Sequence, residues 1–274
     1  MKFLIVLCVC EVAVARFLGG VGDSQGHKCG IVASPNPLHQ NPWLVELQFY
    51  RHGVKYDRRC GGSLIDSRHV VTAAHCVRGA KTKTATLFAR LGEYDTTKDI
   101  DCVGGLCADS PVEIEVVAIT PHSDYKNKEH DIAILTLAHD APYTDTIRPI
   151  CLPTGDLKPD TIFSASGWGE DISKGKYSDT KKDLRLPLWS SEDCKAAYNQ
   201  LKLPNHIVCA GGEKGIDTCR GDSGGPLSWM KETAELWGVT STGNVNCGTE
   251  GFPGLYTSVK DHVGWIKNIV ASAK

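Results

Sequence analysis

The sequence has 274 residues, of which 41% are hydrophobic and 23% are charged, and its formal net charge is −2. This composition is that of an ordinary globular protein and excludes disordered and collagen-like chains. The nearly neutral charge provides no basic surface for nucleic acid and no polybasic patch for anionic membranes, so we expect neither as a partner.

The first predicted element is a signal peptide over residues 1–15. Lys2 is followed by an apolar run and then by Ala13-Val14-Ala15, the order of a charged region, a hydrophobic region and a small-residue cleavage site. A short buried strand is the alternative. No other apolar run approaches the ~18 residues that a membrane span needs, so we expect a secreted, extracellular protein. Residues 16–30 would then form a short N-terminal arm before a domain over 31–274.

Short apolar runs alternate with turn residues through most of the chain, and no helical pattern alternates with them. This rhythm predicts an all-β sandwich or barrel and argues against a parallel α/β fold. The expected strands are 43–50, 62–65, 69–73, 86–91, 112–119 and 132–137, followed by 161–168, 184–187, 207–211, 226–230, 236–240 and 254–259.

Three further segments interrupt this pattern in the second half. A polar, lysine-rich stretch over 170–182 predicts an exposed, protease-sensitive loop. Ser190, followed three residues later by Asp193, resembles a capping box that opens a helix to about Leu201. Apolar residues three or four apart over 259–270 predict a C-terminal helix.

Three short motifs contain candidate catalytic residues. An apolar strand ends in Val70-Val71-Thr72-Ala73-Ala74-His75-Cys76, an acid opens the apolar run His130-Asp131-Ile132-Ala133-Ile134-Leu135, and a glycine-rich turn reads Gly221-Asp222-Ser223-Gly224-Gly225-Pro226. A serine is a weak nucleophile unless a histidine takes its proton and a carboxylate fixes that histidine. Taken singly, the three residues have ordinary readings as a core histidine, a strand-start cap and a turn serine.

In this order the motifs resemble those of the chymotrypsin/trypsin family of serine proteases. The resemblance implies two six-stranded antiparallel β-barrels, with a C-terminal helix and one short intermediate helix, and serine endopeptidase activity. It implies that Ser223 is the nucleophile, that His75 is the general base and then the acid, and that Asp131 orients His75. The backbone N–H groups of Gly221 and Ser223 would form the oxyanion hole.

The resemblance also identifies a substrate pocket. Asp217 matches the acidic floor residue of trypsin-like members, and an unpaired buried carboxylate favours a substrate arginine or lysine. Gly243 and Gly254 match the small wall residues that keep this pocket open. A loop cap is the alternative for Asp217. The expected partners are protein substrates cleaved after Arg or Lys and serpin-type inhibitors. Thr242 stands where most relatives have an aromatic residue, which leaves binding of further substrate residues unpredicted.

The cysteines indicate an oxidising compartment. Of twelve, Cys8 and Cys10 belong to the predicted signal peptide, and the remaining ten are an even number, as an exported disulfide framework requires. Their spacing does not favour zinc. Many pairings are open from the residues alone. The family resemblance implies Cys29–Cys151, Cys60–Cys76, Cys194–Cys209 and Cys219–Cys247, which leaves Cys102–Cys107.

The loop around Cys102 and Cys107 and the run Gly248-Thr249-Glu250-Gly251-Phe252-Pro253-Gly254 resemble the catalytic domain of arthropod clip-domain proteases. That implies an extracellular cascade of immunity or development, with digestion as the alternative, and we expect no clip domain before this catalytic domain. Relatives hold calcium in such a loop as a structural ion, and Glu93 and Asp95 are suitable ligands. A solvated acidic loop is the alternative, and no cofactor is required.

Activation is where the pattern departs from the family. In relatives a cut after Arg or Lys frees an Ile-Val-Gly-Gly-like terminus, whose ammonium pairs with the acid before the nucleophile. Here Ile31 and Asp222 would form that pair, but Gly30 precedes Ile31 and Ala33-Ser34 replace the glycines. Arg16-Phe17-Leu18-Gly19-Gly20 resembles an activation sequence but abuts the signal peptide.

Three explanations stay open: an unusual activating protease, altered activation, or a chain that has lost its activation segment. The active enzyme therefore competes with a zymogen-like secreted binding or cofactor protein that has little activity. The complete set of His75, Asp131 and Ser223 favours the enzyme, because binding alone needs none of this chemistry.

Overall fold

The fold is described from a computed structural model over residues 28–80 and 85–272, so the predicted signal peptide with Cys8 and Cys10 lies outside the described residues. The helices there are α1 (Ala74–Val77), α2 (Ser191–Ala197) and α3 (Val259–Ser272), with a 3-10 turn at Pro37–His39. The strands there are β1 (Leu44–Arg51), β2 (Val54–Lys55), β3 (Cys60–Leu64), β4 (His69–Thr72), β5 (Ala85–Leu91), β6 (Cys102–Val103), β7 (Leu106–Cys107), β8 (Val112–Pro121), β9 (Ala133–Leu137), β10 (Ile162–Gly167), β11 (Glu170–Asp171), β12 (Lys176–Tyr177), β13 (Lys182–Pro187), β14 (Ile207–Gly211), β15 (Pro226–Met230), β16 (Ala234–Thr242) and β17 (Pro253–Ser258).

Antiparallel strands of the first half close into a barrel in the order β1-β3-β4-β9-β8-β5, and pairing of β1 with β5 completes the ring. β2 extends β1 as a hairpin. Every second residue of β5, namely Leu87, Ala89 and Leu91, is buried, because alternate side chains of a strand point to the same face. These side chains belong to the larger apolar core of the molecule.

The second half forms a six-stranded antiparallel sheet in the order β13-β10-β15-β16-β17-β14. Its edges approach each other at the bridge between Leu188 and Ala210. Phe163, Leu227 and Tyr256 fill its interior. The predicted all-β class with two barrels is confirmed, and the second barrel is less fully closed by strand pairing than the first.

Each predicted strand has a counterpart, whereas two-residue hairpins such as β6–β7 were not predicted because so short a strand has no readable period. The stretch 170–182 is only partly the expected exposed loop, since it contains β11 and β12 and buries Ser178, and only 172–176 is exposed throughout. The helix that Ser190 caps ends at Ala197 rather than near Leu201. In α3 the buried residues are Val259, His262 and Ile266.

Contacts between the two barrels fix the loops that contain the candidate catalytic residues. The N–H group of Gly61 donates to the carbonyl of Ser223 at 2.7 Å, and Thr257 Oγ1 donates to the carbonyl of Asp131 at 3.0 Å. Gly224 has a φ of +81°, and a Cβ there would lie 2.3 Å from Thr72 Oγ1. A larger residue would therefore push the serine loop away from the first barrel.

None of the helices in the described part of the chain is long and apolar enough to cross a membrane.

Candidate active site

His75, Asp131 and Ser223 approach the junction of the barrels from three different elements. His75 lies in α1, directly after β4, and its side chain is 23% exposed. Asp131 comes two residues before β9 and is fully buried. Ser223 lies in the turn before β15. A part-exposed base beside a buried acid is the arrangement that general-base catalysis requires.

Asp131 holds His75 through two atoms. The His75 N–H group donates to Asp131 Oδ1, and His75 Nδ1 lies 2.8 Å from Asp131 Oδ2, the same distance as the first bond. Because a carboxylate accepts hydrogen bonds, the proton of neutral His75 belongs on Nδ1, which leaves the lone pair on Nε2. The orientation and the tautomer of a general base are therefore set by one buried acid.

Two further donors reach the same carboxylate. Ser241 Oγ donates to Asp131 Oδ2 at 2.5 Å, and Lys128 Nζ lies 3.4 Å from it. Burial alone would raise the pKa of Asp131, but the hydrogen bond and charge of His75, with Ser241 and Lys128, hold this pKa below its ordinary value. Asp131 is therefore an anion at neutral pH. Neither supporting residue was predicted, because a lone serine or lysine has no distinguishing motif.

The turn around Ser223 keeps two backbone donors free. No hydrogen bond within the described residues uses the N–H groups of Gly221 or Ser223. Gly221 has a φ of +99°, and a Cβ there would lie 3.0 Å from the ring of Tyr177 and 3.2 Å from the Cα of Gly169. Glycine is thus required, and the two N–H groups are available to a developing oxyanion.

The serine itself is not engaged with the base. Among the hydrogen bonds of residues 28–80 and 85–272, none joins Ser223 Oγ to His75 Nε2. His75 Nε2 lies 3.8 Å from the sulfur of Cys76, which is oxidised in the disulfide with Cys60. Catalytic hydrogen bonds are often long in a protein without substrate, so this geometry does not exclude proton transfer from Ser223.

Asp222 is buried against glycine backbone. Its Oδ1 accepts from the N–H group of Gly169 at 2.8 Å and its Oδ2 from that of Cys219 at 3.0 Å. Burial raises the pKa of Asp222 to about 6. No ion pair within the described residues includes Asp222, and a cavity of about 250 Å³ adjoins it. An anion here would gain from a cation that entered this cavity.

Ile31 does not lie in that cavity's lining, because the chain before it is fixed elsewhere. The N–H group of Gly30 donates to the carbonyl of Pro149 at 2.8 Å, and the N–H group of Ala234 donates to the carbonyl of Gly30 at 2.9 Å. Gly30 has a φ of +69°, and a Cβ there would lie 2.4 Å from the oxygen of Ala234. The predicted pair of Ile31 with Asp222 is therefore not formed in the uncut chain and stays a prediction for a cleaved form.

The predicted pocket residues lie together. Asp217 is 8% exposed, its Oδ2 accepts from the N–H group of Gly248 at 3.1 Å, and its buried Oδ1 has no partner among the described groups. Burial raises the pKa of Asp217. A Cβ on Gly254 would lie 3.1 Å from that Oδ1, whereas Gly243 has only the Cα of Gly254 nearby. Asp217 Oδ1 therefore lies against Gly254, and Gly243 adjoins Gly254 in turn. The cavity of about 250 Å³ beside Asp222 is lined by Asp217 as well, but by neither glycine.

Five disulfides link the described loops: the four pairs that the family resemblance implies and the bridge between the two cysteines that those pairs leave, Cys102 and Cys107. Cys219–Cys247 spans 28 residues and ties the loops around Asp217, whereas Cys102–Cys107 closes a five-residue span. The other three are Cys29–Cys151, Cys60–Cys76 and Cys194–Cys209.

The acidic loop does not present a calcium cage. Arg90 Nε donates to Glu93 Oε2 at 2.6 Å, whereas Lys98 Nζ lies 2.7 Å from Asp95 Oδ2. Calcium takes six to eight oxygen ligands, but these two carboxylates each serve a different cation. The donor set as arranged does not fit the ion, and calcium binding stays a prediction that requires Arg90 and Lys98 to move away.

Comparison with known proteins places this geometry among serine proteases. The model of the family described as Trypsin matches residues 31–266. Phenoloxidase-activating enzyme 1 of Spodoptera litura is 41% identical over 249 residues, which are 86% of this chain and 65% of the relative. Serine protease ea of Drosophila melanogaster is 38% identical, covering 86% of this chain and 66% of the relative. Phenoloxidase-activating factor 3 of Holotrichia diomphalia is 38% identical over 85% of this chain and 70% of its own length. The chain thus spans roughly two thirds of these relatives.

Proposed function

This chain belongs to the trypsin family of serine proteases, and we propose that it acts as a secreted endopeptidase that cuts peptide bonds after arginine or lysine. The observation that carries the proposal is the pair of 2.8 Å contacts by which buried Asp131 holds His75. They orient Nε2 of His75 as a proton acceptor beside the loop that contains Ser223.

The proposed reaction has two steps. Ser223 Oγ attacks the substrate carbonyl carbon while His75 Nε2 takes the hydroxyl proton, and the oxyanion accepts hydrogen bonds from the N–H groups of Gly221 and Ser223. The C–N bond breaks as the imidazolium gives that proton to the leaving amine. A water then attacks the acyl group, His75 takes a proton from this water, and Ser223 leaves with the proton returned.

Asp217 supports the preference for a basic residue. Its Oδ1 is buried without a partner in the described part of the chain, and an arginine or lysine side chain would supply both the missing hydrogen bond and the opposite charge. A neutral or acidic side chain would leave the carboxylate buried and unpaired, which is costly. Because Gly243 and Gly254 have no side chains, neither would obstruct a long substrate side chain that approaches Asp217.

The route to an active form is the least usual part of the proposal. Cleavage of the Gly30–Ile31 bond would free the ammonium of Ile31, and its pairing with Asp222 would offset the cost of burying that carboxylate. However, the carbonyl of this bond already accepts from the N–H group of Ala234. The activating protease must therefore accept glycine before the cut and must act when this segment opens locally.

The biological setting is proposed from the relatives. Two of the three are named as an enzyme or factor that activates phenoloxidase, and we propose a comparable extracellular cascade with a protein substrate cut after Arg or Lys. Five disulfides support secretion, since such bonds persist in oxidising compartments. Serpin-type inhibitors are the proposed regulators, because a bait loop with a basic residue would satisfy Asp217 and acylate Ser223.

A zymogen-like binding protein is the second candidate. Two observations favour it: Asp222 has no ion-pair partner in the described part of the chain, and Ser223 Oγ makes no hydrogen bond to His75 there. In this form the oxyanion site would never be completed, and the protein would act by binding alone. The intact contact between His75 and Asp131 weighs against this candidate.

The test is to collect the protein from culture medium, sequence its N-terminus, and treat it with a fluorophosphonate that labels activated serines. We expect a fraction that begins at Ile31, carries the label on Ser223 and hydrolyses an arginine ester. If every preparation begins upstream of Ile31 and Ser223 stays unlabelled, the binding protein replaces the enzyme.

The control is Ser223→Ala, which should abolish ester turnover while the far-ultraviolet circular dichroism and the thermal unfolding midpoint stay close to those of the wild type. Unchanged turnover in this variant would mean that another residue is the nucleophile. A lysine ester and a phenylalanine ester of the same length separate the pocket's preference from general esterase activity.

A further inference from the structure

Four histidines gather around the turn that precedes Asp131. His122 lies one residue after β8, His130 directly precedes Asp131, His206 precedes β14, and His262 lies in α3. The rings of His122 and His130 stack with centroids 4.5 Å apart, and those of His130 and His206 stack at 4.8 Å. The ring of His262 meets all three at steep angles. The proposed proteolytic reaction uses none of these side chains.

The hydrogen bonds of His262 fix which of its nitrogens is free. His262 Nδ1 lies 2.6 Å from the carbonyl oxygen of Ser258, so Nδ1 must donate and Nε2 retains the lone pair. Histidines that bind metals usually donate their other ring N–H to such a carbonyl, which fixes the ring and increases its basicity. His262 is also only 3% exposed, so its direction is set by packing.

The lone pair of His262 already faces a second imidazole. His130 Nδ1 lies 3.0 Å from His262 Nε2. Two nitrogen ligands on a tetrahedral zinc ion, each about 2.0–2.1 Å from it, are separated by about 3.3 Å. An ion could therefore replace the shared proton with a small movement of the two rings.

A third ring completes the group. One nitrogen from each of His122, His130 and His262 lies within 4.8 Å of the other two. His122 Nδ1 accepts a 3.2 Å hydrogen bond from the N–H group of Asp124. If Nδ1 bound the metal, this long hydrogen bond would be lost, whereas ligation through Nε2 would require the tautomer with the proton on Nδ1.

We propose that His122, His130 and His262 form a binding site for a divalent cation of the zinc class, which links the end of β8, the turn before Asp131 and α3. Three imidazole nitrogens suit zinc, copper or nickel and not calcium or magnesium, which prefer oxygen. The fourth position is left for water or for His206. The side chains of His206 and its partner Asp261 are 42% and 45% exposed, which opens a path from solvent.

The turn beside this site has an unusual backbone conformation, which a bound ion would stabilise. Asn127, Lys128 and His130 have φ values of +51°, +70° and +49°, in a region that residues other than glycine rarely adopt. The same turn places Asp131 against His75. An ion bound to His130 would fix the turn from the side of α3, so zinc is expected to stabilise the folded protein.

The test uses the full secreted chain with Ser223→Ala, so that neither self-cleavage nor loss of activity affects the result, and without a polyhistidine tag. After treatment with a chelator and dialysis, zinc chloride is titrated calorimetrically and thermal unfolding is followed with zinc or magnesium. We expect one zinc ion per chain, a rise of the unfolding midpoint by several degrees with zinc, and none with magnesium.

His122→Gln and His130→Asn are the site variants, because both residues are only part-buried and both replacements retain a polar side chain. Each should weaken zinc binding at least tenfold and remove the midpoint shift. The matched control is His139→Gln, an exposed histidine outside the group, which should bind zinc like the parent. Cobalt should give the visible absorption of a tetrahedral nitrogen site in the parent only.

The proposal is overturned if the parent binds no zinc, or if both folded site variants bind zinc as tightly as His139→Gln does. The first result would mean that the four rings are a packed, hydrogen-bonded cluster. The second would locate the ion at other surface groups. Circular dichroism of each variant without metal shows whether it is folded, and zinc binding is measured only on folded protein.

Discussion

The two barrels present their halves of the active site in different states of completion. In the first, Asp131 is fully buried and already holds His75 at 2.8 Å. In the second, Asp222 is buried without an ion-pair partner among the described residues, and Ser223 Oγ makes no hydrogen bond to His75 there. The difference shows that the uncut chain already holds His75 on Asp131, whereas Asp222, next to the proposed nucleophile, has no cation among the described residues.

The physical reason lies in how each acid is compensated. Asp131 obtains its donors from residues that folding brings close, namely His75, Ser241 and Lys128. Among the described residues, Asp222 accepts from two backbone N–H groups and from no side chain, and its pKa rises to about 6. Asp131 is thus compensated by side chains that include a cation, whereas Asp222 would gain from an ammonium that entered beside it.

The largest expected effect comes from disrupting the contact between Asp131 and His75 in the first barrel. Asp131→Asn should lower kcat toward an arginine peptide by about 10⁴-fold, because an amide that faces Nδ1 favours the tautomer with the proton on Nε2. The measurement uses unlabelled protein that begins at Ile31, because a labelled Ser223 cannot turn over, and the protein concentration is set by absorbance. Asp140→Asn is the control, since that side chain is 59% exposed in the same barrel. A loss below tenfold would mean that Asp131 does not orient the base.

The second expected effect concerns the pocket in the other barrel. Asp217→Ser should lower kcat/KM for an arginine ester by about 10²–10³-fold, the kinetic equivalent of leaving one buried charge unpaired. The free energy of unfolding should not fall, because burial raises the pKa of Asp217 and none of the described residues hydrogen-bonds to its Oδ1. Exposed Asp160→Ser is the control. Equal losses for arginine and phenylalanine esters would contradict the assignment of the pocket.

A smaller, pH-dependent effect would sharpen the contrast between the two acids. Because the pKa of Asp222 is raised from 3.8 to about 6, the folded uncut chain binds this proton more tightly than the unfolded chain does. Its contribution to stability therefore falls as pH rises from about 4 to about 6, by about 3 kcal/mol in total, and the penalty is complete above that range.

Urea unfolding of the uncut wild type and of Asp222→Asn across this range isolates that contribution. The stability of the wild type relative to the variant should decrease with rising pH, and release of Ile31 should reduce the dependence by supplying a cation. A difference that is constant with pH would show that Asp222 is already compensated in the uncut chain.

The sequence was sufficient for the fold class and for the residues with strong local signals. Alternation of apolar and polar residues predicts β5, and small residues at the end of β4 together with the serine turn suggest where catalysis occurs. The pairing of strands could not be predicted in this way. Closure of the first barrel depends on the pairing of β1 with β5, and no local pattern identifies that partner.

Side-chain and backbone contacts explain the rest of what sequence reasoning missed. Nothing near Gly30 predicts that the distant Ala234 donates to its carbonyl. Glu93 and Asp95 looked like calcium ligands although Arg90 and Lys98 each lie only three residues away, because sequence spacing alone does not show that the loop brings each cation onto its carboxylate. In α3 the apolar pattern suggested that Val263 is buried, whereas His262 packs there. The first of these features depends on tertiary contact, and the other two depend on local geometry that residue type does not report.

The smallest expected effect tests whether the Asp131–His75 pair of the first barrel depends on a residue of the second barrel. Ser241, in β16, donates to Asp131 Oδ2 across the junction. Ser241→Ala should lower kcat about tenfold, because one of several donors to a buried anion is lost while His75 remains bound. Ser228→Ala is the control, since this buried serine donates to the carbonyl of Ser164 in the same sheet. An unchanged kcat would show that residues of the first barrel are sufficient to orient and ionise Asp131. A loss near that of Asp131→Asn would show that Asp131 also requires the hydrogen bond from Ser241 in the second barrel.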